Sequence, residues 1–113
     1  MHIGLIGLGK MGNNMRARLR KNGIEVTGYD PNQAVSDVAT IADLAAALPA
    51  PRVVWVMVPS GAITTGVITE LADTLEDGDL VIEGGNSRFS DDFKHAALLV
   101  DKGINYVDCG VSG

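Results

Sequence analysis

The sequence predicts an α/β fold, a doubly wound, mostly parallel sheet with helices on both faces. Three observations predict it. Apolar runs of strand length alternate with segments of helical period along the whole chain. The run Val53 to Val58 is continuous and rich in β-branched residues, as in a strand buried on both faces of a covered parallel sheet. A glycine-rich turn joins the first strand to the first helix. With 113 residues, the chain is bounded to one small domain, 1–113, or a piece of a larger protein.

The elements follow in order. His2 to Ile6 is a short apolar strand ending in glycines. Residues 10–22 form a helix in which Met11, Met15 and Leu19 recur every four positions, with Gly12 on the same arc. Asn22-Gly23 stops that helix, with Gly23 as a left-handed cap. Ile24 to Tyr29 is the second strand, broken by Asp30-Pro31-Asn32. Val38 to Ile41 reads as a short third strand and Asp43 to Leu48 as a brief helix stopped by Pro49 and Pro51. After Val53 to Val58, Ser60 caps a helix whose stripe is Ile63, Val67, Leu71 and Leu75. Leu80 to Ile82 is the next strand, and Glu83 to Arg88 a loop. Ser90 caps a further helix with Phe93, Ala97 and Val100 on its buried face, and Gly103 ends it. Ile104 to Val107 is the last strand. Right-handed crossovers leave few topologies for such a series, and 3-2-1-4-5-6 is the natural order.

Composition excludes several functions. Nine basic residues face fourteen acidic ones, for a net charge of −5, which disfavours nucleic acid and anionic membranes. The exception is residues 1–30, with five basic and two acidic side chains. Cys109 is the single cysteine, so no intrachain disulfide forms, and no Cys/His set has zinc spacing. No apolar run has membrane-spanning length, and Ile3 to Leu8 is too short for a signal peptide. These features predict a cytoplasmic protein. His2 and His95 read as structural or solvated, Cys109 as a small buried apolar residue, and Arg16, Arg18, Arg20 and Lys21 as a mostly solvated helix face.

Four segments carry chemistry. Gly7-Leu8-Gly9-Lys10-Met11-Gly12 is a G-x-G-x-x-G that follows a strand and opens a helix, the context a Rossmann-type dinucleotide site requires. Gly7 permits the tight turn, Gly9 lets backbone approach a pyrophosphate, and Gly12 lets the helix pack closely. Free N–H groups at the helix start then hold the phosphates. Asp30 lies 18 residues after Gly12, at the end of the second strand. A carboxylate there accepts hydrogen bonds from the adenosine ribose and repels a 2′-phosphate, favouring NAD over NADP. Glu83-Gly84-Gly85-Asn86-Ser87 presents an amide and a hydroxyl at a strand's carboxyl end, where open α/β sheets bind ligands; a purely structural turn fits the same spacing. Cys109-Gly110-Val111-Ser112-Gly113 also follows a strand, as a loop with or without a function.

The combination resembles the cofactor domain of the decarboxylating 6-phosphogluconate dehydrogenases. The matching residues are Ile6 to Met15, Trp55 to Gly61, Gly78 to Ser87 and Lys102 to Asp108, with Gly84-Gly85-Asn86-Ser87 the most specific part. The resemblance implies that Gly7 to Gly12 bind the dinucleotide phosphates and that Val58, Pro59 and Ser60 lie along the nicotinamide half. It implies that Asn86 touches both cofactor and sugar phosphate, and that Ser112 and Gly113 open a substrate loop. NADP-using relatives place an arginine after the second strand; Asp30-Pro31 stands here, as in the shorter, NAD-preferring branch.

For a complete enzyme the resemblance implies hydride transfer from C3 of 6-phosphogluconate to NAD, then loss of carbon dioxide to give ribulose 5-phosphate. The family's lysine base, glutamate acid and helical, dimer-building domain belong to later segments. The expectation is therefore a truncated NAD-binding domain with no catalytic residue, from a protein that forms a homo-oligomer. A dehydrogenase of the 3-hydroxyisobutyrate or tartronate-semialdehyde type is one alternative, but those usually carry Ser-Thr where Asn86-Ser87 stands. A non-catalytic NAD-sensing module is another, and it leaves Asn86 and Ser112 unexplained.

Overall fold

The computed structural model describes residues 1–58, 62–84 and 89–109. Five strands, β1 (His2–Ile6), β2 (Glu25–Tyr29), β3 (Val53–Val56), β4 (Leu80–Glu83) and β5 (Asn105–Asp108), form one sheet. Its order is β2-β1-β3-β4-β5, and every pairing is parallel. Four helices connect them: α1 (Lys10–Lys21), α2 (Ile41–Ala47), α3 (Ala62–Thr74) and α4 (Phe89–Val100). This is the expected doubly wound order with its third strand missing.

Residues 38–41 do not form a strand. Thr40 caps α2 instead, its hydroxyl accepting the Asp43 N–H at 3.0 Å. The β2 edge is closed without a ladder, chiefly by Asp37: Asp37 N–H donates to the Gly28 carbonyl at 2.9 Å, and Gly28 N–H donates to Asp37 Oδ2 at 2.8 Å.

The two sheet faces hold separate cores. On one, Ile6, Val54, Val56 and Val81 meet Leu44 and Leu48 from the α2 segment, Ile68, Leu71 and Leu75 from the α3 segment, and Leu99 of α4. On the other, Ile3, Leu5 and Val26 meet Met15 and Leu19 of α1. The run from Val53 is thus buried unevenly. Val54, Val56 and Val58 are buried, while Val53, Trp55 and Met57 are half-buried on the α1 face.

Both predicted glycine caps form. Gly23 (φ 84°) and Gly103 (φ 74°) adopt left-handed conformations. Ile24 N–H then reaches back to Leu19 and Ile104 N–H to Leu99, each at 3.0 Å, satisfying helix-end carbonyls.

Several expected helix faces are rotated. Ile63 is 58% exposed, and Thr64 and Ile68 take the inward positions. In α4, Ala97 and Val100 are exposed while His95 and Leu99 are buried. Met11 is exposed at the start of α1. Ser90 lies inside α4, which begins at Phe89, and Glu83 ends β4 instead of opening a loop. Cys109 is exposed, contrary to the buried reading.

Candidate functional site

The parallel register brings the carboxyl ends of the strands into one row. Gly7 N–H donates to the Tyr29 carbonyl at 2.9 Å, Met57 N–H to Ile6 at 2.7 Å, Gly84 N–H to Val56 at 2.9 Å and Cys109 N–H to Glu83 at 2.9 Å. β1 has β2 on one side and β3 on the other, so the chain reverses direction across the sheet there. That switch point is where open α/β sheets leave a crevice for a ligand.

The glycine turn occupies this point. Gly7 has φ 97°, and a side chain on it would meet the Met57 backbone at 2.8 Å. A Cβ on Gly12 would overlap the Gly7 carbonyl oxygen, so the first turn of α1 packs directly on the turn before it. Gly9 is different, since a Cβ there would meet nothing within 4 Å. The turn is tight underneath and open above, as a phosphate cradle requires. α1 begins with no side-chain cap and no acidic residue in its first turn. Its first intrahelical bond is Asn13 N–H to Gly9 at 2.8 Å, which leaves the N–H groups before it for an anion. Lys10 and Met11 are exposed beside them, and Leu8 is buried below against Gly28.

Asp30 joins this turn. Its Oδ2 accepts the Leu8 N–H at 2.8 Å and its Oδ1 accepts the Asn32 N–H at 2.8 Å. A carboxylate has roughly four acceptor positions, so two remain for ribose hydroxyls. Ser36 Oγ accepts the Asp30 N–H at 3.0 Å, fixing the root of the loop after β2. The residues present therefore fit a dinucleotide.

The chain brings Gly7, Leu8, Gly9, Lys10, Met11, Gly12 and Asp30 together at this edge, with Val58 just past the end of β3. Pro59, Ser60, Asn86, Ser112 and Gly113 lie outside the described residues.

Three features escaped sequence reasoning. Arg16 and Arg20 are not merely solvated: Arg16 Nη1 lies 3.3 Å and Arg20 Nη2 2.8 Å from Asp37 Oδ2. Burial pushes the Asp37 carboxyl up, but the Gly28 N–H and the charges of Arg20 and Arg16 outweigh it and leave it below its ordinary value of 3.8. Gly84 is required sterically, because a Cβ there would run into the Trp55 indole, whose Nε1 points to Met57 Sδ at 3.1 Å. Glu83, just before it, is wholly buried. Its Oε2 takes the Tyr106 hydroxyl at 2.5 Å and pairs with His95 Nδ1 at 2.8 Å, while Oε1 has no partner among the described residues. His95 Nε2 lies 3.1 Å from Thr65 Oγ1, so this polar cluster ties α3, β4, α4 and β5 together beneath the Gly84 end of the sheet.

Comparison with known proteins gives concordant matches. The sequence profile of the NAD binding domain of 6-phosphogluconate dehydrogenase matches residues 2–113. YqeC of Bacillus subtilis is 38% identical over 122 residues, covering 100% of this chain and 41% of its own length. The NAD(+)-dependent, decarboxylating 6-phosphogluconate dehydrogenase of the same organism is 33% identical over 124 residues, covering 98% of this chain and 26% of its own. Among solved structures, 3-hydroxyisobutyrate dehydrogenase of Mycobacterium tuberculosis superposes with a TM-score of 0.85 at 29% identity, over 99% of this chain and 40% of that one. Plasmodium falciparum 6-phosphogluconate dehydrogenase, studied with NADP+ and with 6-phosphogluconate, gives 0.80 at 26% identity, over 100% of this chain and 27% of that one. The chain thus spans well under half the length of these relatives.

Proposed function

The chain belongs to the family of the NAD-binding domain of 6-phosphogluconate dehydrogenase, and from that premise we propose that it is the dinucleotide-binding unit of an NAD-preferring, decarboxylating 6-phosphogluconate dehydrogenase. The observation that carries the cofactor choice is the hydrogen bond from Leu8 N–H to Asp30 Oδ2. It sets a carboxylate against the phosphate turn, where it suits ribose hydroxyls and opposes a 2′-phosphate.

In this reading the Gly7–Gly12 turn holds the pyrophosphate through its N–H groups from Gly9 into the start of α1, since those of Gly7 and Leu8 are taken by the Tyr29 carbonyl and Asp30. Asp30 orients the adenosine ribose, and Val58, Pro59 and Ser60 border the nicotinamide half. Asn86 contacts both cofactor and sugar phosphate, and Ser112 and Gly113 contact the substrate. NAD, when bound, supplies the hydride acceptor for oxidation of the sugar acid. Residues 1–113 act as one binding domain and contribute orientation. The acid and base, the helical domain and the homo-oligomer contacts belong to sequence outside them, and the protein works in the cytoplasm without nucleic-acid or membrane partners.

The TM-score of 0.85 to a 3-hydroxyisobutyrate dehydrogenase favours a second reading with the same cofactor and a smaller hydroxyacid. Asn86-Ser87 argues for the sugar phosphate instead. Calorimetric titration of the chain with NAD and NADP, then with 6-phosphogluconate or 3-hydroxyisobutyrate on the NAD-saturated chain, tests both. NAD binding tighter than NADP, with weak binding of 6-phosphogluconate alone, supports the first reading. Preference for 3-hydroxyisobutyrate supports the second.

A further inference from the structure

The loop after β2 closes on α1 through the Val35 carbonyl and the Asp37 carboxylate, and that carboxylate occupies two guanidinium groups. Asp37 Oδ2 receives the Gly28 N–H at 2.8 Å, Arg20 Nη2 at 2.8 Å and Arg16 Nη1 at 3.3 Å. Arg16 is tied further, Nη1 to the Val35 carbonyl at 2.9 Å and Nη2 to Asn13 Oδ1 at 3.0 Å. Its side chain is only 12% exposed, whereas that of Arg20 is 46% exposed. Arg16 Nη1 would stand 3.2 Å from a Cβ on Gly28. Gly28 is two residues before Asp30 on the same strand path, a rise of roughly 7 Å. A guanidinium on a flexible stem spans that distance, and it is the side chain best suited to grip a phosphate with two hydrogen bonds.

We propose that Asp37 is a specificity-determining positioning residue, holding Arg16 in an ion pair and so denying a 2′-phosphate the cation it needs beside Asp30. This rests on the reading that Asp30 receives the adenosine ribose. Discrimination against NADP then has two parts. Asp30 repels the phosphate directly, and Asp37 keeps Arg16, which stands beside Gly28, neutralised and turned toward the Val35 carbonyl. Arg20, held at the Val26 carbonyl at 2.7 Å, lies further back along the strand and serves the closure alone.

The test is Asp37→Asn. Asparagine keeps an oxygen for the Gly28 N–H, so the loop stays closed, but it no longer neutralises Arg16. Titrations of wild type and variant with NAD and with NADP should show NAD affinity within about twofold. The ratio of the NADP to the NAD dissociation constant should fall about five- to tenfold, the scale of one screened charge nearby. Adding Arg16→Gln to Asp37→Asn should restore the wild-type ratio, which mere loosening of the loop would not do. An unchanged ratio in Asp37→Asn, or no restoration by Arg16→Gln, overturns the proposal. Arg16→Gln alone provides an arm that does not depend on how well Asp37→Asn folds. It should leave both affinities unchanged, and a weakened NADP affinity would show that Arg16 already reaches the phosphate and that Asp37 withholds nothing. A wild-type chain that binds neither nucleotide overturns the cofactor reading itself, whereas one that binds NAD but fails these arms overturns only the role of Asp37.

Discussion

His95 Nδ1 stands 2.8 Å from Glu83 Oε2, and neither side chain is more than 1% exposed. Removing His95 leaves buried Glu83 with the Tyr106 hydroxyl but without its second partner, in a medium that solvates it poorly. His95→Leu should therefore destabilise the fold by about 3 kcal/mol. Removing both polar groups, in His95→Leu with Glu83→Met, should cost less than the sum of the single changes, because neither partner is left buried without the other. Urea unfolding of the three variants measures this coupling. Additive effects would show that the two groups do not stabilise one another.

The glycine turn gives a sharper steric expectation. A Cβ on Gly12 would overlap the Gly7 carbonyl oxygen, which is backbone and cannot swing aside. Gly12→Ala should suffice to displace α1 from the turn, and Gly12→Val should do more, at about 1–3 kcal/mol for overpacking. NAD affinity should fall with it, since the same displacement moves the N–H groups that face the phosphates. Gly9→Ala is the control, because a Cβ there meets nothing within 4 Å, and its melting temperature should stay near that of wild type. A Gly12→Ala variant as stable as Gly9→Ala would refute this packing.

What was legible in the sequence was the layering, the tight glycine turn and the nearness of Asp30 to it, because alternation, glycine spacing and position after a strand are local signals. Helix faces were less legible. Steps of four residues advance about 400°, so a stripe drawn every fourth residue drifts about 40° per step. Over the three steps from Leu75 back to Ile63, that drift carries Ile63 into solvent, while Thr64, Ile68, Leu71, Ala72 and Leu75 keep the true face. In α4 the inward position belongs to His95, and hydropathy cannot place a histidine in a core when its partners, Glu83 and Thr65, are 12 and 30 residues away. The supposed strand at Val38 to Ile41 was β-branched enough to pair, but its backbone is committed elsewhere: Thr40 caps a helix and Asp37 takes the strand edge. A polar closure of that kind has no periodicity to reveal it.

Asp37 also predicts an acid limb of stability. Its carboxyl lies below the ordinary value when folded, so its contribution is fully present above the unfolded value near 3.8. That contribution is lost as pH falls from there through the depressed folded value. Asp37→Asn should therefore be less stable than wild type at pH 7, and the two melting temperatures should converge as the pH is lowered from about 5 toward 2.5. A gap that stays constant across that range would show that the carboxylate's charge contributes nothing to the closure.

Asp30 carries the remaining expectation, because in the proposed function one carboxylate serves both the fold and the ligand. Its Oδ2 holds the Leu8 N–H in a segment whose side chain is buried, and its Oδ1 holds the Asn32 N–H. Asp30→Ala leaves both donors unpaired and removes the ribose acceptor, so stability and affinity should fall together. Charge-assisted hydrogen bonds to the ribose are worth roughly 1.5–3 kcal/mol, which sets the expected loss of NAD affinity at about tenfold or more. Asp30→Asn separates the two roles. An amide oxygen can still accept the Leu8 N–H, so stability should recover most of its wild-type value. The negative charge is gone, so NAD should bind more weakly than to wild type while the gap to NADP narrows. Titration of both nucleotides against the three proteins, with melting temperatures alongside, resolves these effects. Tighter binding of NADP than NAD by the wild-type chain would sink the assignment of Asp30 to the ribose. An Asp30→Ala variant that binds NAD as the wild type does would confine Asp30 to holding the turn.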